Sequence, residues 1–133
     1  MFCSHSEVFP IGYIIGAKKK PYSITDTITY KLSDGKLYTI EKGFRMDGTS
    51  VPVLLRSFEP RINSRIIGSA LHDHMYNNDY LRGELTDYKA RKFIDKEMLL
   101  FWNKYNPTQK VKNKTMYLLV RSFGGLVFKR RKN

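Results

Sequence analysis

The chain has 133 residues, 41% of them hydrophobic and 14% aromatic, which is one domain's length and enough for one buried core. No run of about 18 apolar residues offers a membrane-spanning helix. The single cysteine, Cys3, excludes an internal disulfide and fits a reducing compartment. The stretch Met1-Phe2-Cys3-Ser4-His5 lacks the charged head and long apolar run of a secretory signal.

Charge is more informative than composition. Lys and Arg number 24 against 12 Asp and Glu, a formal net charge of +12. Nine of the basic residues lie between Asn103 and Asn133, a stretch with no acid. A basic end on a near-neutral body suits contact with nucleic acid, anionic lipid or an acidic protein face. It equally suits a solvated, solubilising tail.

The N-terminal third reads as β. Val8 to Ile15 is an apolar stretch broken by Pro10 and Gly12, at best an irregular edge strand. Lys18-Lys19-Lys20-Pro21 is a charged turn. From Tyr22 to Leu32 the β-formers predict a strand, with Ile24, Ile28 and Tyr30 on one face. Ser33-Asp34-Gly35-Lys36 is a turn, and Leu37 to Ile40 returns to make a hairpin.

A loop follows, with Gly43 and Gly48 permitting sharp turns and Asp47, Thr49 and Ser50 able to bond nearby main chain. The rest reads as helical. Asn63 or Ser64 caps a helix to about Asn77, with Ile67, Leu71 and Met75 as its apolar stripe. Thr86 caps a second, with Asp87 at its positive end, Ala90, Phe93, Ile94, Met98 and Phe101 inside, and Asn106-Pro107 at its end. Thr108 opens a third through Val111, Leu118, Leu119 and Ser122, stopped by Gly124-Gly125.

The expected architecture is α+β: an N-terminal β-hairpin or small antiparallel sheet packed on about three α-helices. It forms a single domain over residues 1–125, with a basic tail over 126–133.

Candidate chemistry concentrates in Ala70-Leu71-His72-Asp73-His74-Met75-Tyr76. On a helix, Arg65, Ser69, His72, Asp73 and Tyr76 cluster opposite the apolar stripe. A histidine with a tyrosine one turn later can serve as a general base or position a substrate. Alternatively, His72 and Asp73 bond the Asp47–Ser50 loop and hold it against the helices. His72 and His74 are roughly 200° apart on a helix, so they cannot share one metal ion, and no metal or cofactor site is expected. No phosphate-binding loop, dinucleotide fingerprint or nucleophile elbow is present. Lys110, Lys112 and Lys114, with Lys129, Arg130, Arg131 and Lys132, are candidates for binding nucleic acid or an acidic partner.

Three motifs occur in order: Gly43-Phe44-x-x-Asp47-Gly48-Thr49-Ser50-Val51-Pro52, Ala70-x-His72-Asp73-x-x-Tyr76, and Tyr117-x-x-Val120-Arg121-x-Phe123-Gly124. Together with the hairpin before them they resemble the bacteriophage and prophage proteins grouped as domain of unknown function thirteen-fifty-three. The resemblance spans roughly Tyr22 to Gly125. It implies a phage origin, a small α+β fold and an Asp-Gly loop beside the His-Asp helix.

His72-Asp73-x-x-Tyr76 is also similar to the active-site helix of phospholipases of the A2 class. That likeness implies His72 as the base that activates water, Asp73 as a calcium ligand, and an aspartate from another helix orienting the histidine. Related phage proteins carry an Ala-Asp pair on the next helix; this chain has Ala90-Arg91 there, with Asp87 one turn earlier.

The sequence therefore supports two functional expectations. The first is a bacteriophage structural or virion-associated protein, a capsid, neck or tail component made in the host cytoplasm. It docks on other virion proteins or packaged DNA, as a symmetric oligomer, and Asp47, Ser50, His72, Asp73, Tyr76 and Arg121 form its structural polar cluster. The second is a small phage-encoded hydrolase using His72 with Asp73 or Asp47.

Overall fold

The computed structural model of the chain describes residues 2–3, 9–46, 65–81 and 83–130, with 2–3 and 123–130 described by their backbone. Among them are six strands: β1 (Phe2–Cys3), β2 (Ile11–Tyr13), β3 (Tyr22–Ile24), β4 (Ile28–Lys31), β5 (Leu37–Ile40) and β6 (Arg45–Met46). Three helices follow, α1 (Ile66–Asn77), α2 (Asp87–Tyr105) and α3 (Lys110–Arg130), with a 3-10 turn at Pro107–Gln109 leading into the last. The fold is α+β. Its strands belong to one compact unit, residues 1–48, and its helices to another, residues 49–133.

The strands form two antiparallel three-stranded sheets, ordered β1-β4-β5 and β2-β3-β6. The single strand expected from Tyr22 to Leu32 is divided between them. Thr25-Asp26-Thr27 leaves the ladder because Thr25 N–H donates to the Pro10 carbonyl (2.9 Å) and Asp26 Oδ1 accepts from Thr27 N–H (2.9 Å). The alternation survives the break: Ile24, Ile28, Tyr30 and Leu32 are all buried.

The predicted hairpin is β4–β5, in register from Ile28 opposite Ile40 to Lys31 opposite Leu37. Gly35 takes φ +86° at its turn, where its N–H donates to the Leu32 carbonyl. The glycine-rich motif also begins as sheet. Gly43, at φ +100°, donates to the Ile24 carbonyl, and the Phe44 carbonyl accepts from Ile24 N–H. Asp47 to Pro52, the remainder of that motif, lies outside the described residues.

α1 and α2 fall where periodicity put them. Thr86 caps α2, its hydroxyl accepting from Lys89 N–H at 3.2 Å. The caps expected at Asn63 or Ser64 lie outside the described residues.

α3 departs from expectation twice. Its backbone continues through Gly124-Gly125 to Arg130, so the segment read as a tail is largely helix. Its inward face is Asn113, Met116 and Val120, while Val111 and Leu118 are exposed at 83% and 53%. Met116 and Val120 pack with Met98 and Trp102 of α2. Apolar periodicity pointed to the outer side because a buried asparagine holds one of the inward positions.

Candidate functional site

The site begins with a glycine. A Cβ at Gly68 of α1 would stand 2.8 Å from the Met98 carbonyl oxygen and 3.1 Å from Phe101 Cβ on α2. A backbone carbonyl cannot swing aside, so the two helices reach this separation only with glycine here. The approach brings the face of α1 read as polar into the interior: Arg65, Ser69, His72 and Tyr76 are all buried. Burial forces those polar groups to find partners.

Asp95 of α2 supplies most of them for His72 and Tyr76. This carboxylate is fully buried. Its Oδ1 accepts from His72 Nε2–H at 2.7 Å and from the Tyr76 hydroxyl at 2.7 Å. Its Oδ2 accepts from Arg121 Nη1 of α3 at 2.9 Å. Arg91 stands 3.9 Å from that oxygen and donates instead to the Arg121 carbonyl at 2.7 Å. The Arg121 guanidinium also lies 5.5 Å over the Tyr88 ring.

Burial alone would raise the Asp95 carboxyl. The hydrogen bonds from His72, Tyr76 and Arg121, with the charge at His72, hold it below the ordinary aspartate range. An ionised carboxylate only accepts, so the proton between it and His72 belongs to Nε2. That assignment makes Nδ1 the nitrogen that gains and loses a proton.

Among the described residues, Nδ1 is buried and has no hydrogen-bond partner. The nearest carboxylate, Asp73, is 3.9 Å away, beyond hydrogen bonding but within reach of its charge. Burial disfavours the charged ring, but Asp73 and Asp95 outweigh it and hold the His72 pKa up at about 9. Tyr76 is driven well above its ordinary value, by burial first and then by Asp95, so it stays a donor at any working pH. Its ring leans on the imidazole at a centroid distance of 4.1 Å.

Among the sequence candidates, His72, Tyr76 and Arg121 meet on one carboxylate, with Asp73 beside them. Asp47 and Ser50 lie outside the described residues. Lys110, Lys112 and Lys114 are exposed on α3, away from this cluster's interior. Lys129 and Arg130 lie on the α3 backbone, and Arg131 and Lys132 outside the described residues.

Sequence reasoning missed Asp95. The likeness to phospholipases points to position 91 or Asp87 for an aspartate against His72, whereas the carboxylate that meets His72 is two turns after Asp87. The available signal was an acid within the apolar register of an amphipathic helix, three residues before Met98 and seven before Trp102.

Residues 22–120 match the family model described as Protein of unknown function (DUF1353). The chain belongs to this family. No curated protein and no solved structure matches it. The likeness to phospholipases of the A2 class therefore finds no match beside the family's own. Calcium takes six to eight oxygens, and no group of three His, Cys, Asp or Glu among the described residues is placed to hold a metal.

Proposed function

We propose that the protein is a hydrolase in which His72 activates water for attack on an ester. The observation that carries this reading is a buried Nδ1 with no hydrogen-bond partner among the described residues, on a ring whose other nitrogen is committed to Asp95. Leaving a buried polar atom without a hydrogen bond costs about 1–3 kcal/mol, so such an atom calls for an explanation, and a catalytic role is one.

In the proposed reaction, Nδ1 takes a proton from water as the water oxygen bonds to the ester carbonyl carbon. Asp95 steadies the resulting imidazolium and keeps the ring aimed. The tetrahedral adduct then expels the alcohol oxygen, which receives the proton from Nδ1. Acid and alcohol leave, and His72 returns to its neutral form. Asp95 and Tyr76 are positioning residues in this scheme. Asp73 acts through its charge beside Nδ1. The pairing of a helix-borne histidine with an aspartate from a neighbouring helix supports this reading, with Asp95 in the orienting role.

The test is His72→Gln, which retains a donor toward Asp95 but has no base. Assayed on nitrophenyl esters and phosphatidylglycerol vesicles, it should fold and lose roughly 100-fold or more in turnover. A variant as active as the parent would overturn the reading.

A second reading is favoured by Asp95 joining α1, α2 and α3 through three side chains. Here the cluster is a staple inside a bacteriophage structural or virion-associated component that docks on other virion proteins or packaged DNA. Mass spectrometry of purified particles after a high-salt wash should then find the protein retained in a symmetric copy number. Absence from the particle would remove this reading.

A further inference from the structure

We propose that the outer face of α3 docks on an anionic lipid membrane, with the helix lying in the headgroup plane. Opposite the inward residues Asn113, Met116 and Val120 stand Val111, Thr115, Leu118 and Ser122, spaced by four, three and four along one line. All four are exposed. The two hydroxyls on this line are turned into the helix: Thr115 Oγ1 donates to the Val111 carbonyl (3.0 Å) and Ser122 Oγ to the Leu118 carbonyl (2.9 Å). Each hydroxyl proton is thereby committed to the helix, which lowers the polarity of the ridge they share with Val111 and Leu118.

Lys110 and Lys114 flank this ridge on one side and Lys112 on the other, with no acid anywhere on the helix. A carbon ridge with two lysines on one flank and one on the other matches a surface whose phosphates lie above acyl chains. A polynucleotide offers the phosphates but asks for stacking rings rather than exposed aliphatics. No helix among the described residues is long and apolar enough to cross a membrane, so α3 lies on the surface. The proposal does not depend on the chemistry at His72.

The experiment is co-sedimentation of the full chain with phosphatidylcholine vesicles, alone or with about 30 mol % phosphatidylglycerol. Binding is expected to the anionic vesicles and to be weak on the neutral ones. Val111→Ser with Leu118→Ser, both pointing away from the interior, should weaken it by about tenfold or more. Replacing Lys110, Lys112 and Lys114 together by Ala should abolish the response to phosphatidylglycerol. As an independent readout, Val111→Trp should shift its emission to the blue on anionic vesicles. Unchanged affinity in the serine variant would overturn the proposal, as would binding to an oligonucleotide but to neither kind of vesicle.

Discussion

Two buried polar networks bridge the same three helices, one around Asp95 and one around Arg65. Around Arg65, Nε donates to Asn113 Oδ1 at 2.7 Å and Nη2 donates to Gln109 Oε1. Asn113 Nδ2 in turn donates to Asn103 Oδ1 (3.1 Å) and the Asn106 carbonyl (3.2 Å). Trp102 Nε1–H closes the arrangement on the Arg65 carbonyl at 2.9 Å. Asn113 thus uses both amide hydrogens and its oxygen, and the groups on this side answer one another. Around Asp95 the carboxylate is equally well served, yet the histidine it holds has, among the described residues, no hydrogen-bond partner for its far nitrogen. Both arrangements fasten helices. Only one leaves an atom whose protonation is free to change, and that separates a structural network from a candidate for chemistry.

Removing the centre of the Asp95 network should have the largest effect. Asp95→Ala strands the charges of His72 and Arg121, and denaturant melts should show a loss of about 3–5 kcal/mol. A loss below 1 kcal/mol would mean that the carboxylate does not organise the helices.

The next effect separates the networks by pH. His72 is held at about 9, above its ordinary 6.5, so its contribution is present in full below about pH 6.5 and fades as pH rises through 9. A shift of that size corresponds to about 3 kcal/mol. Asp95 is held low, so its contribution is present above the ordinary aspartate range and fades as pH falls. Stability should therefore peak in mildly acidic solution, while any turnover that depends on neutral His72 climbs toward pH 9. Flat melting temperatures between pH 6 and 9 would contradict the His72 assignment.

A smaller, pH-independent loss is expected at the other network. Asn113→Ala should cost about 2 kcal/mol by removing the acceptor of Arg65 Nε and the donor to Asn103 Oδ1 and the Asn106 carbonyl. The pH profile of stability should keep its shape. A changed profile would show that the two networks are coupled.

The sequence made much of this legible. Alternation at Ile24, Ile28 and Tyr30 announced the buried sheet face, and Thr86 the start of α2, because those signals depend on residues close in the chain. His72, Tyr76 and Arg121 were marked by residue type and motif. Asp95 and Asn113 were not, because their partners are distant: Asp95 meets His72 from 23 residues away and Asn113 meets Arg65 from 48. The same limit misassigned the faces of α3. A polar residue satisfied inside and an aliphatic residue exposed outside invert the pattern on which periodicity relies.

Nitrogen NMR of the His72 ring, followed across pH, bears most directly on the claim that Asp95 fixes the imidazole with Nδ1 as its working nitrogen. The account predicts that Nε2 keeps its proton throughout while Nδ1 loses its own near pH 9. A neutral ring protonated on Nδ1, or a titration at or below the ordinary 6.5, would contradict it.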